Sequence, residues 1–226
     1  APILATMRPN DVCVEIMRSL RTSLQFTLME ARNHTVMLTG PASGVGKSFL
    51  AVNLAVLLAA SGKKVLLIDA DMRRGKLERS FGLERANGLA ELLAGTIGLE
   101  QAIRTTRTPF LSFMPAGKRP ENPSELLMSP RLQQYLDGLG RVYDVVFIDT
   151  PPVLAVTDAS IIGKLSGTNF LVMRSGAHNE MEISDAIRRL RSAGIPLHGA
   201  IMNGMPARSR GYNRGHYAAV EDYLNV

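Results

Sequence analysis

One cysteine, Cys13, and no tryptophan occur in the 226 residues, and aromatic side chains make up only 5%. A single thiol excludes an internal disulfide, a thiolate zinc site and a CxxC redox motif together, and it fits a reducing compartment. The histidines His34, His178, His198 and His216 stand far apart, with no metal-ligand spacing. Also missing is an uncharged apolar run of about 18 residues, the length that a membrane-spanning helix needs. The nearest approach, Phe49 to Ala60, is short and contains Asn53. No basic stretch leads into an apolar region at the N-terminus, so no secretory signal is read there. The chain opens on Ala1 rather than Met, and we expect it to be a piece of a longer polypeptide. Basic residues exceed acidic ones by 26 to 20, a net +6. That excess suits phosphate-bearing ligands or anionic surfaces, but is too small to point to nucleic acid, and no nucleic-acid partner is expected.

What the chain does have is material for a core. Its hydrophobic fraction is 46%, and a chain this long buries roughly 70% of its unfolded surface. Disorder throughout is excluded, and at roughly 150 residues per domain one large domain with an appendage is favoured. Asp11–Glu30 reads as a helix. Apolar runs then alternate with amphipathic ones: strands at Thr35–Thr39, Val65–Asp69, Phe110–Met114, Val145–Asp149, Phe170–Arg174 and Leu197–Met202. Helices are expected between them at Lys47–Ala60, Gly88–Gly95, Leu99–Ile103, Pro123–Met128, Arg131–Leu139, Asp158–Leu165 and Met181–Ser192. Strands that are apolar throughout and alternate with helices predict a doubly wound α/β fold, a mostly parallel sheet covered on both faces. The domain is expected to occupy residues 1–203. Residues 204–226 differ: Gly204–Tyr217 holds Arg208, Arg210, Arg214 and three glycines with no acid, and reads as a mobile tail. Three of the five tyrosines, Tyr212, Tyr217 and Tyr223, lie in 204–226.

The strongest local signal is Gly40-Pro-Ala-Ser-Gly-Val-Gly46-Lys47-Ser48, between a strand and a helix. Backbone N–H groups of Ser43, Gly44, Val45 and Gly46, and of the helix start through Phe49, would form a phosphate pocket. Lys47, read as a charge on the surface of the loop, would neutralise β/γ-phosphate oxygens, and the Ser48 hydroxyl would ligate Mg²⁺. One position departs from G-x-x-x-x-G-K-[ST]: the first glycine falls at Gly40, and Pro41 stands where it should be. A dinucleotide fingerprint fails, because its third glycine would be Phe49.

Two strands end in acid: Val65-Leu-Leu-Ile-Asp69-Ala-Asp71-Met-Arg73 and Val145-Val-Phe-Ile-Asp149-Thr-Pro-Pro152. A carboxylate at the C-terminal end of a buried parallel strand emerges where such sheets bind ligands. Asp149 fits a Mg²⁺-holding acid. Asp69 and Asp71, two apart, point to one side if the strand continues.

Together these motifs resemble the bacterial tyrosine kinases (BY-kinases), cytoplasmic kinase domains of capsule and exopolysaccharide export systems within the MinD/ParA-like ATPases. Glu15-x-x-Arg18-x-x-Arg21, Asn122-Pro-Ser-Glu-Leu-Leu-Met-Ser129 and the terminal tyrosines add to the resemblance, which runs from about Glu15 to Asn203. The signature lysine of MinD/ParA proteins would stand at Ala42, and its absence favours the kinase branch. The resemblance implies ATP and Mg²⁺ as cofactors, with Lys47 as phosphate clamp and Ser48, Asp71 and Asp149 as metal residues. It makes Asp69 the base facing a tyrosine hydroxyl and Asn203 an adenine-side residue. It makes Tyr212, Tyr217 and Tyr223 phosphoacceptors, and Glu15, Arg18 and Arg21 an inter-subunit contact of a ring, an octamer in the family. On spacing alone those three residues are equally a solvated stripe with an intrahelical pair. A membrane-spanning activator and a place at the inner face of the cell membrane are also implied. The family's internal regulatory tyrosine corresponds to Lys76 and its phosphate-receiving arginine to Ala116, so that switch is expected to be missing. Two rivals stand: a MinD/ParA-like ATPase that positions cargo, and a nucleotide-binding module without catalysis.

Overall fold

The computed structural model describes residues 3–205. Tyr212, Tyr217 and Tyr223, and nearly all of the expected tail, lie outside the described residues. In chain order the elements are α1 (Leu4–Met7), α2 (Val12–Met29), β1 (Thr35–Thr39), α3 (Lys47–Ala60), β2 (Val65–Asp69) and α4 (Glu78–Phe81). There follow α5 (Leu89–Ala94), α6 (Leu99–Ala102), β3 (Arg104–Thr105), β4 (Leu111–Met114), α7 (Pro123–Met128) and α8 (Pro130–Leu139). The last five are β5 (Val145–Asp149), α9 (Asp158–Leu165), β6 (Thr168–Arg174), α10 (Glu180–Ser192) and β7 (Gly199–Asn203).

Among the described residues the sheet has seven strands in the order β3-β4-β2-β5-β1-β6-β7. All neighbours pair in parallel except β3 and β4. The strands are apolar throughout because both faces are covered, and alternate side chains feed two cores. Val36 and Leu38 of β1, with Val65 and Leu67 of β2, pack under α2 and α3. Met37, Leu66 and Ile68 pack on the other face, under α5 and α7–α10. Nearly all of α3 is buried. It lies between the sheet and α2, which explains why it is apolar on every side. Asn53, which breaks that apolar run, is fully buried, and its Oδ1 accepts the Ala5 N–H at 2.8 Å, fixing α1.

Three short elements were not expected: α1, α4 and the antiparallel edge strand β3. Each has four residues or fewer, too few to show a period. β6 begins at Thr168 rather than Phe170. Thr168 and Asn169 are polar yet fully buried, and the Asn169 amide donates to the carbonyls of Gly163 (3.2 Å) and Pro196 (3.1 Å). The last strand begins at Gly199 rather than Leu197, because the Pro196 carbonyl goes to that amide and not to a ladder. α2 starts at Val12 because the Asp11 side chain accepts the Cys13 N–H at 2.9 Å as N-cap. α10 starts at Glu180, behind the reciprocal Asn179–Glu182 capping box.

Candidate nucleotide and phosphoryl-transfer site

The 40–46 loop leaves β1 at the carboxyl edge of the sheet. Gly40 stands one residue ahead of the usual pattern for a packing reason: a Cβ there would lie 2.6 Å from the Val172 carbonyl oxygen of β6. Gly46 has φ +96°, where side chains are strained, and a Cβ there would lie 2.0 Å from Asn203 Nδ2. Asn203 instead donates to the Val45 carbonyl at 3.0 Å, and Arg174, its ladder partner, to the Gly44 carbonyl at 3.2 Å. Two loop carbonyls are thus held from the ends of β6 and β7. That suits a loop whose N–H groups, continuing into the start of α3, must serve an anion. Beside Asn203 lies an apolar groove lined by Leu4, Ile16, Leu20, Phe49 and Ile201.

Lys47 is only 8% exposed, so the expectation of a charge on the loop surface is corrected. It is the first residue of α3, and its stem runs past Gly40 of the loop. The Ser48 hydroxyl donates to Asp149 Oδ2 at 2.5 Å. Asp149 Oδ1 is buried and accepts no hydrogen bond among the described residues. Burial pushes the Asp149 carboxyl up to about 6, against the charge of Lys47 and the Ser48 hydrogen bond, which pull it down; Asp71 adds to the rise. An orphaned carboxylate oxygen beside a phosphate-loop hydroxyl fits a Mg²⁺ ion that keeps its waters and takes phosphate oxygens as further ligands.

Asp69 pairs with Asp149 across the β2–β5 ladder and is fully buried. Burial first, and the Asp149 charge second, raise its carboxyl well above the ordinary range. The strand does not continue to Asp71, so the reading that strand geometry aligns the two acids is corrected. Backbone N–H groups capture the Asp69 carboxylate: Oδ1 accepts from Asp71 and Oδ2 from Leu77, both at 3.1 Å. Asp71 Oδ1 in turn accepts from the N–H groups of Arg73 (3.2 Å) and Arg74 (2.8 Å). The 70–77 segment is a tight loop built around two aspartates.

Sequence reading passed over the partners that moor this loop. Arg73 grips the fully buried Asp158, at the start of α9, with Nε to Oδ2 at 3.0 Å and a second nitrogen to Oδ1 at 3.1 Å. Ser124, of the Asn-Pro-Ser-Glu stretch, accepts from Arg73 (2.9 Å) and donates to Asp158 (2.8 Å). Arg73 and Ser124 stand in stretches that carry the resemblance but were given no role there, and Asp158 reads as an ordinary helix start. Lys76 is exposed, and Ala116 is fully buried beyond β4.

On α2, Glu15 and Arg18 pair with each other at 2.6 Å, and Arg18 also donates to the Pro9 carbonyl at 2.9 Å. Arg21 turns inward and donates to the Leu57 carbonyl near the end of α3 at 3.3 Å. The structure therefore joins two of the three residues and sends the third elsewhere.

A family model described as the AAA domain matches residues 34–169. The tyrosine-protein kinase ptk of Acinetobacter johnsonii is 45% identical over 211 residues, which is 93% of this chain and 29% of that protein. The solved BceF tyrosine kinase domain aligns with a TM-score of 0.86 at 63% identity, covering 91% of this chain and 83% of its own. The kinase domain of the Escherichia coli tyrosine kinase ETK aligns with a TM-score of 0.89 at 42% identity, covering 94% and 84%. The chain spans 28 to 29% of the length of the first curated relatives it matches. No helix among the described residues is long and apolar enough to cross a membrane.

Proposed function

The chain belongs to the bacterial tyrosine-kinase domains, and from that premise we propose an ATP–Mg²⁺-dependent protein-tyrosine autokinase that acts in exopolysaccharide or capsule export. The observation that carries the proposal is the Ser48–Asp149 pair, with its orphaned Oδ1, beside the loop that holds Lys47.

In this reading the loop amides from Ser43 to Phe49 receive the phosphates, and the groove beside Asn203 receives the adenine. Lys47, already partly desolvated, holds its charge against the β/γ-phosphate oxygens, where it is worth more than in water. Mg²⁺, when bound by Ser48, by Asp149 and through water by Asp71, supplies charge neutralisation on the transferring phosphoryl group. The tyrosine oxygen forms a bond to the γ-phosphorus as the bond to the bridging oxygen of ADP breaks, and ADP leaves with that electron pair. A loose transition state demands alignment and charge neutralisation above proton removal. Asp69 serves first by shaping the loop that carries Asp71. As a base it takes the tyrosine proton in exchange for one of its amide partners.

Tyr212, Tyr217 and Tyr223 are the phosphoacceptors, presented to a neighbouring subunit of a ring, an octamer as in the family, in which Glu15, Arg18 and Arg21 contribute to the contact. A membrane-spanning polysaccharide co-polymerase is the activating partner, which places the domain at the inner face of the cell membrane. The test mixes a Lys47→Met chain that keeps its tyrosines with an active chain truncated after Met205. Transfer between subunits puts phosphate on Tyr212, Tyr217 or Tyr223 of the inactive chain, at a rate that rises with concentration. No label on the inactive chain, while full-length active chains on their own are labelled at a rate independent of dilution, would place transfer within one subunit. ATP hydrolysis with no phosphotyrosine on either chain would return the protein to the MinD/ParA-like reading.

A further inference from the structure

Arg85 lies between α4 and α5, in a segment that no motif marks. Its guanidinium donates to three backbone carbonyls: Met72 at 2.8 Å, Gly117 at 2.8 Å, and Gly75. It forms no ion pair with a carboxylate among the described residues. A half-buried guanidinium that spends its donors on carbonyls is fixed in place by a planar fork, and lysine cannot reproduce that geometry.

The two sides it joins are unlike. One side is rigid. Leu89 and Ala90 donate to the carbonyls of Pro115 (2.8 Å) and Ala116 (3.1 Å). Glu91 accepts from the N–H groups of Asn87 (3.2 Å), Gly88 (3.0 Å) and Lys118 (3.0 Å). Together they weld residues 87–91 to 115–118. The other side is the 70–77 loop that carries Asp71. Asp69 holds that loop at its root and Arg73 holds it toward α9, but on the α5 side its carbonyls at 72 and 75 meet Arg85.

We propose that Arg85 is a positioning residue for phosphoryl transfer: it ties the acid-bearing 72–75 loop to the rigid 87–91/115–118 frame and so sets where Asp71 stands relative to Ser48 and Asp149. The inference rests on the kinase reading of the same site. Arg85 spends its donors on backbone carbonyls, so its loss should leave ATP affinity nearly intact and lower turnover. A displacement of about 1 Å at a reacting group costs on the order of a hundredfold.

The test compares Arg85→Ala and Arg85→Lys with the full 226-residue chain. It uses steady-state phosphotyrosine formation, amide hydrogen exchange over residues 72–77, and added guanidinium at non-denaturing concentration. Arg85→Ala is expected to lose about a hundredfold in kcat, with the KM for ATP within about threefold. Its 72–77 amides should exchange faster while those of 145–149 do not, and guanidinium, but not urea, should restore part of the rate. Arg85→Lys should fall between the two. Wild-type kcat in either variant would overturn the proposal, as would slowed turnover with unchanged exchange at 72–77. If Arg85→Ala does not fold, Arg85→Lys decides on the same readouts. If the wild-type chain forms no phosphotyrosine, the kinase reading fails, and the exchange comparison still tests the tie separately.

Discussion

Asp149 carries a heavy electrostatic burden at the site. Its folded carboxyl titrates at about 6 against an ordinary value of 3.8, with burial the main cause. The folded state therefore binds the proton more tightly than the unfolded state does. Stability that is complete below the unfolded value is lost as pH rises through the folded value, here between about pH 4 and pH 6. Asp149→Asn keeps the shape and still accepts from Ser48, but removes the charge. Without metal or nucleotide, the variant should gain stability relative to wild type across that window, by up to about 3 kcal/mol, and hold the gain at higher pH. Paired thermal melts at several pH values check this, and a difference that does not change with pH would contradict the assigned burial cost. Lys47 and Ser48 were legible in the sequence because strand, loop and helix fix their places within a few residues, and Asp149 because it ends an apolar, buried strand. The setting of Asp69 was not, since no spacing rule says that a strand-end carboxylate will be claimed by the amides of Asp71 and Leu77.

Among the elements, α2 is tied to α3 through one residue of the proposed ring contact. Arg21 binds a carbonyl near the end of α3, so Arg21→Ala should cost about 1 kcal/mol in urea unfolding. Glu15→Ala or Arg18→Ala, at a partly exposed pair, should cost a few tenths. Replacing all three should also reduce the assembly mass seen by analytical ultracentrifugation. An unchanged mass would leave the pair as a solvated stripe and Arg21 as a helix tie. The long elements were legible for a physical reason: β1, β2 and β5 are buried on both faces and leave unbroken apolar runs, and α3 is enclosed on all sides. α1 was hidden because its fixing bond comes from Asn53, 48 residues away from Ala5, and β3 because two residues carry no alternation.

For the whole molecule, the alternation of strands and helices gave the α/β class, but not the order β3-β4-β2-β5-β1-β6-β7. That order has consequences for the site. Placing β5 between β2 and β1 brings Asp149 beside both Asp69 and the phosphate loop. Placing β6 and β7 beyond β1 brings Arg174 and Asn203 to the loop's outer side. Arg73, Asp158 and Ser124 join segments from 34 to 85 residues apart, and Arg85 binds backbone alone, so neither composition nor spacing exposes them. The central claim is that this edge of the sheet transfers phosphate from ATP to tyrosine. The direct measurement is the intact mass of the chain before and after ATP–Mg²⁺, with peptide mapping, for wild type and Lys47→Met. The wild type should gain phosphoryl groups on Tyr212, Tyr217 or Tyr223, while Lys47→Met, equally folded by its melting curve, should gain none. Phosphotyrosine on Lys47→Met, or a wild type that consumes ATP and gains no phosphate, would contradict the account.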